Sequence, residues 1–249
     1  MKVVIAPAYH HLESFISAIP QGDYPCEKVF RDRRNRVELV SVGDMLLVVK
    51  RFKRPTLANC VIYTWFRKNK AQRAWENAYL FKKLNLETAE PVATIIRKKF
   101  GFFHTAWFLS EYLPYPDLEE AFVACETNEE KEALIDAFVA FTLHLHSLGI
   151  IHRDYNRKNI LVHKETDGYH FAMIDINRLW LKRNPDIHLS MRSLVRLKMN
   201  DEAKEMFLPN YAKGRGFCVK DCQLYLDKIE HYDVIRHQVK TALKRLIHK

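Results

Sequence analysis

No apolar run in this 249-residue chain approaches the length of a membrane span. The N-terminus, M-K-V-V-I-A-P-A-Y-H-H-L-E, is apolar too briefly for a secretory signal and soon meets His and Glu. Both features predict a cytoplasmic protein. Cysteine is scarce. The five present are an odd number without framework spacing, which excludes a disulfide scaffold and fits a reducing compartment. Cys218 and Cys222 stand four apart, a helical spacing, with no further close ligands for zinc. Internal repeats, low-complexity segments and long linkers are missing. So are zinc-finger spacing and RNP-type aromatic motifs, and nucleic acid is therefore not an expected partner. Acidic residues are in the minority, 30 against 40 Lys and Arg, for a formal charge of +10. Such an excess favours an anionic partner, whether a membrane surface, nucleic acid or a phosphorylated glycan, and does not choose among them.

The most informative stretch is I-I-H-R-D-Y-N-R-K-N-I-L-V-H-K-E-T-D-G-Y-H-F-A-M-I-D-I-N-R, residues 150–178. Asp154 follows the apolar pair Ile150-Ile151, and Asp175 follows Phe171-Ala172-Met173-Ile174. Between them Asn159 precedes Ile160-Leu161-Val162, and Asp167-Gly168 marks a hairpin turn. The predicted order is a loop with Asp and Asn, a strand, a turn, a strand and a second Asp. Either aspartate alone has a structural explanation, as a hydrogen-bonded turn or a cap. In this order and spacing they have the parts of a phosphoryl-transfer site. One carboxylate orients an incoming hydroxyl and accepts its proton, and a carboxylate with an amide holds Mg²⁺ against the phosphates.

His152, Arg153, Asp154 and Asn159 fill every fixed position of the H-R-D-x-x-x-x-N pattern. On these residues the chain resembles the protein-kinase-like superfamily. The wording H-R-D-Y-N-R-K-N-I-L with I-D-I-N-R looks most like the lipopolysaccharide core kinases, the Kdo/heptose kinase family of Gram-negative bacteria. The resemblance is strongest at residues 150–180, moderate at 45–80, and thin in the first 25 and last 70 residues. It implies an α+β, two-lobed protein-kinase-like fold in one domain spanning residues 1–249. A small β-rich N-lobe would run to about Tyr112, with a reduced helical C-lobe beyond.

Upstream, Val37–Val42 alternates as a half-buried strand, Gly43-Asp44 turns, and Met45–Val49 is a continuous apolar run ending in Lys50. Leu47-Val48-Val49-Lys50 corresponds to the V-A-I-K signature, whose lysine reaches the nucleotide phosphates. Lys53, past the apolar run, is the rival. Between the first two predicted strands, Glu27–Phe30 and Val37–Val42, stands Arg31-Asp32-Arg33-Arg34-Asn35-Arg36, without the glycines that admit phosphate to the backbone. Arginine side chains there could grip an anion instead. Pro55–Phe66 has no clear pattern beyond a loop and a short apolar segment. Residues 68–83 read as an amphipathic helix in which Glu76 is the only acid, so by position it would fix Lys50; a surface pair with Arg73 is the alternative. Pro91–Ile96 and Thr105–Leu113 are two further strands, five in all. By analogy Glu111, Tyr112 and Leu113 are the hinge that holds adenine.

Thr127-Asn128-Glu129-Glu130 is a capping box opening a helix to about Leu148, with Gly149 at its end. His144 and His146 fall on different faces of it, which argues against a shared metal. After Asp175 only 74 residues remain; they hold no A-P-E motif, and Ile176-Asn177 stands where Phe-Gly is usual. The predicted tail is three helices, near 188–207, 220–229 and 231–247, with Tyr211–Gly216 separating the first two.

The resemblance implies a kinase that uses ATP and Mg²⁺. Asp154 would be the base, Asn159 and Asp175 the metal ligands, and Lys50, fixed by Glu76, the phosphate anchor. Arg178 would anchor the shortened loop or touch substrate. The implied acceptor is a sugar hydroxyl of the lipopolysaccharide inner core, Kdo or heptose, on lipid A. The implied partners are therefore an anionic glycolipid and the inner-membrane surface, which attracts cations. A kinase for another small molecule would share these motifs. An atypical protein kinase fits the short tail less well, and the glycine-free loop motivates a pseudokinase binding module.

Overall fold

A computed structural model describes residues 1–32 and 35–247, with side chains omitted at 237, 240 and 242–247. It divides into two compact units: Met1–Pro114 with Ala172–Arg178, and Tyr115–Phe171 with Leu179–Lys249.

The first unit contains β1 (Lys2–Ile5), α1 (Glu13–Ala18), β2 (Lys28–Asp32), β3 (Asn35–Val42), β4 (Met45–Phe52), α2 (Leu57–Trp65), α3 (Lys70–Lys83), β5 (Glu87–Thr88), β6 (Pro91–Lys99) and β7 (Phe102–Glu111). Six strands make one antiparallel sheet in the order β1-β6-β7-β4-β3-β2. The sequence predicts five strands; the structure adds β1, whose apolar run Val3-Val4-Ile5 pairs with β6, and the two-residue β5. A period of two decides which face each β4 residue takes. Leu47 and Val49 enter a core with Ile16, Ile19, Val40, Ile95, Trp107 and Leu109, while Phe52 joins Ala71, Ile96, Phe103 and Ala106. Lys50 therefore shares a strand face with Phe52, not with Val49.

Residues 57–65, unpatterned in sequence, form α2; its buried residue is Cys60. In α3 the Asn69 side chain accepts from the N–H groups of Ala71 and Gln72, and the Gln72 side chain answers by accepting from the Asn69 N–H. That reciprocal cap fixes where the helix starts. Its buried stripe of Ala71, Ala74, Ala78 and Phe81 fixes how it is rotated.

The second unit contains α4 (Leu118–Val123), α5 (Asn128–Ser147), β8 (Ile150–His152), β9 (Ile160–Glu165), most of β10 (Gly168–Met173), β11 (Leu179–Leu181), α6 (Ile187–Leu194), α7 (Asp201–Arg215) and α8 (Val219–Ile247). Phe138 of α5 lies at its centre, fully buried, with ring centroids of Phe171 and Phe207 each 5.4 Å away. Burying such a ring stabilises the fold by roughly 1.5–3 kcal/mol. Gly149 ends α5 at φ +75°, and a Cβ there would sit 2.8 Å from the Lys182 carbonyl oxygen. Only glycine lets β8 and the chain after β11 approach so closely.

The tail departs from expectation in three places. Residues 188–207 are not one helix: α6 ends, a 3₁₀ turn follows, and Lys198 at φ +49° precedes a new cap at Asn200. Tyr211–Gly216 is not a separator. The helix continues to Arg215 because Tyr211 and Ala212 are buried, and because Gly214 leaves room for Leu143, whose Cδ1 a Cβ would meet at 2.4 Å. Gly216, at φ +67°, is the cap. The two last helices are one, α8.

Candidate active site

In the first unit Asp175 lies just past the end of β10, on a left-handed backbone at φ +58°. Aspartate tolerates that region better than most residues, but it is sparsely populated, and such conformations persist only where the surroundings impose them. Here they do. Thr88 Oγ1 donates to the Met173 carbonyl at 2.6 Å, Asn77 Nδ2 to the Ile176 carbonyl at 2.6 Å, and Arg73 Nε to the Asn177 carbonyl at 3.1 Å. Asn177 Nδ2 donates to Asp175 Oδ1 itself. The Asn177 Oδ1 atom is buried and has no hydrogen-bond partner.

Lys50 Nζ forms an ion pair with Asp175 Oδ1, both side chains being mostly buried. Glu76 does not fix Lys50. It pairs with Lys68 at 2.7 Å on the exposed side of α3. The buried alanine stripe turns Glu76 outward, and the residues turned toward the 175–178 segment are Arg73 and Asn77, one helical turn apart. Lys70, one turn earlier, was not singled out in the sequence; its only signal is its i, i+3, i+7 relation to Arg73 and Asn77. Its Nζ lies 5.8 Å from the centroid of the Phe52 ring and Lys50 Nζ lies 5.6 Å from it. Burial, then the positive charges of Arg178, Lys50 and Arg73, push the Lys70 pKa down, with Asp175 opposing. Exposed Arg178 thus contributes charge to this cluster. Lys53, the rival to Lys50, is exposed and lies 3.9 Å from Asp32.

At the expected hinge, the Glu111 N–H donates to the Glu90 carbonyl and the Tyr112 N–H to the Leu46 carbonyl, each at 2.9 Å. The Glu111 carboxylate accepts from Tyr9 Oη at 2.7 Å, and Tyr112 stacks on Phe30. Leu113 follows directly. In the arginine-rich turn, Arg33 and Arg34 lie outside the described residues. Arg36 is committed to buried Glu38 at 2.7 Å. Burial raises the Glu38 pKa, but hydrogen bonds from Arg36 and Tyr24 outweigh it and leave the carboxyl below its usual range.

In the second unit β8 delivers the chain to Asp154. His152 is buried, and its Nδ1 accepts the Asp154 N–H at 3.1 Å. Its carbonyl accepts from Ser193 Oγ at 2.8 Å. The Asp154 carbonyl accepts from Asn156 N–H at 2.8 Å and from Asn159 Nδ2 at 3.0 Å. Arg153 turns outward and lays its guanidinium 4.4 Å from the centroid of Trp180. Arg157 ties the loop to Glu119 at 2.8 Å and to the Lys198 carbonyl. The loop is thus held through its backbone, a rigid frame for the half-buried Asp154. Asn159 spends its amide nitrogen on this frame, so its Oδ1 is the atom available to a hard cation.

A six-stranded antiparallel sheet with its lysine strand and α3, and a helical unit with the H-R-D loop, define a protein of the protein-kinase-like fold. A solved structure titled "WaaP in complex with acyl carrier protein" matches at a TM-score of 0.63 with 16% identity, covering 93% of this chain and 99% of that one. A MAP kinase from Leishmania major matches at 0.47 with 13% identity, over 84% of this chain and 66% of that one. No curated protein matches by sequence. The model of the lipopolysaccharide kinase (Kdo/WaaP) family matches residues 29–210, and the chain belongs to that family of kinases.

Proposed function

We propose that the protein transfers the γ-phosphoryl group of ATP to a sugar hydroxyl, Kdo or heptose, of the lipopolysaccharide inner core. The observation that carries this reading is the Asp154 loop, whose backbone is fixed from both sides by His152 and Asn159. Asp154 acts as the base that orients the acceptor hydroxyl and takes its proton.

The residues fit Mg·ATP. Asp175 in the first unit and Asn159 in the second each offer a hard oxygen donor of the kind Mg²⁺ takes. The Asn177 side chain that donates to Asp175 keeps a buried oxygen without a donor, an acceptor that water on a bound cation would satisfy. Lys50, Lys70 and Arg178 supply cations suited to a triphosphate. When bound, the metal neutralises charge on the phosphates. Lys50, now paired with Asp175, would hold phosphate oxygens, and Asn177 would keep Asp175 oriented. With the Glu111 and Tyr112 N–H groups already donating, the Leu113 backbone would be the part of this segment left to hold adenine. Such an enzyme works at the cytoplasmic face of the inner membrane, where its glycolipid acceptor is made.

Transfer of labelled phosphate from Mg·ATP to Kdo-lipid A, with and without heptose, tests the reading. Transfer by wild type and not by Asp154→Ala supports it and identifies the acceptor sugar. No transfer to either acceptor, with ATP still bound, overturns the acceptor assignment.

A further inference from the structure

Helix α2 presents two unlike sides. Inward, Tyr63 packs edge-on against Phe103 at 5.5 Å, and Thr64 Oγ1 accepts the Phe103 N–H at 2.8 Å. Outward, Leu57, Val61 and Ile62 are exposed, and the helix ends in Trp65 and Phe66, 63% and 81% exposed. The ring of Trp65 meets Phe102 at 5.3 Å, edge to face, so the outward side continues onto the β6–β7 turn. At its tip Phe100 is 88% exposed. The result is one aromatic ridge, not scattered apolar residues.

The turn itself is unusual. Phe100 and Gly101 both have positive φ, +53° and +81°, as a two-residue hairpin turn requires. Asn-Gly is the ordinary solution; a bulky side chain at the first position is a true outlier. The chain holds this ring in a disfavoured backbone region while folding buries almost none of it.

Charge around the ridge has one sign. Neither residues 51–69 nor residues 97–104 include an acid. Arg67, Arg97, Lys98 and Lys99 flank the rings, and Lys99 Nζ lies 5.4 Å from the Phe100 centroid. Near the start of β7, burial and the charges of Arg54, Lys99, Arg97 and Arg51 hold the His104 pKa below its ordinary value.

We propose that this ridge, Trp65-Phe66 with Phe100 and Phe102, docks the protein on an anionic phospholipid bilayer. The rings enter the boundary between headgroups and acyl chains, and the surrounding cations lie at the headgroups. Aromatic rings favour that depth, and cations without acids match an anionic leaflet. The inference rests on the glycolipid reading above and deepens it, since it names the surface that brings the enzyme to a membrane-borne acceptor.

The test is sedimentation of the full-length protein with phosphatidylethanolamine vesicles, with and without phosphatidylglycerol. Wild type is expected to bind only the anionic vesicles, and less as salt rises. Trp65→Ser with Phe66→Ser should weaken binding about tenfold or more. Phe100→Asn relieves the backbone and should raise the Tm while still weakening binding, which separates docking from folding. Brominated lipid should quench tryptophan fluorescence in wild type but not in Trp65→Phe. Equal binding by wild type and the variants overturns the proposal. So does a lipid-free oligomer that these variants convert to monomer, since a second copy would then cover the ridge. Vesicle binding that depends on these residues, in a protein unable to phosphorylate Kdo-lipid A, supports the docking surface and overturns the glycolipid reading.

Discussion

Lys50 and Asp175 form an ion pair within the first unit, and the helix glutamate that the sequence assigned to Lys50 is bound to Lys68 instead. The proposed phosphate lysine is therefore held by the proposed metal carboxylate. A nucleotide with its cation can release each from the other, because both charges then find stronger partners.

This arrangement separates two residues that the sequence joined. Lys50→Met is expected to lower kcat/KM by about a hundredfold or more, since a charge-assisted phosphate contact is lost. Glu76→Gln should stay within about twofold of wild type, because an exposed pair contributes little. Steady-state kinetics with Mg·ATP decides. Equal losses in both variants would restore Glu76 as the partner of Lys50.

Asp154→Asn keeps the shape of the loop and removes the carboxylate proposed as the base. General-base removal predicts a fall in kcat of roughly 10²–10⁴. Nucleotide affinity, measured by isothermal titration calorimetry, should change little. A large loss of nucleotide binding would place Asp154 in the nucleotide pocket rather than at the acceptor hydroxyl.

Lys70 offers a trade between stability and function. Its pKa is lowered, so its charged form is less favourable in the folded protein than in the unfolded chain. At neutral pH the charge is present in both states and destabilises the fold. Lys70→Met should therefore raise the Tm by about 1–3 °C. If Lys70 also contacts phosphate, the same change weakens ATP binding by about tenfold. A Tm that falls would show that the aliphatic stem or the cation over Phe52 contributes more than the repulsion removes.

His146 predicts acid sensitivity. It is buried in the second unit, 2.6 Å from Tyr211 Oη, and burial followed by the Arg215 charge holds its pKa at about 3. The unfolded chain takes up a proton near pH 6.5, whereas the folded protein does so only near 3. The stability tied to neutral His146 is thus complete above 6.5 and is lost as pH falls from there through about 3, by at most about 1.4 kcal/mol per pH unit. Urea unfolding at several pH values checks this. In His146→Gln the slope should be smaller by about one proton.

Much of the second unit's site was legible because its residues are close in sequence. From His152 to Asn159 the hydrogen bonds run over two to five residues, so type and spacing nearly specify the loop. Lys50 was legible because it ends an apolar strand whose period of two sets it on the face opposite Val49. Helix α2 was not, since its outward side carries apolar residues, Leu57, Val61, Ile62 and Trp65, where a surface helix is normally polar. The long α7 was misjudged because Gly214 signals a break locally but serves a close helix contact.

By itself the sequence determined which groups can do phosphoryl chemistry and in what order the chain presents them, because acid, amide and cation are properties of residue type. Only the tertiary structure decided which of them meet. Successive residues on α3 are rotated by about 100°, so burial of Ala71, Ala74, Ala78 and Phe81 places Glu76 roughly half a turn away from the core. The same rotation sets Arg73 and Asn77 against the 175–178 segment, about a hundred residues later in the chain. Contacts of that separation are fixed by packing and leave no local pattern to read.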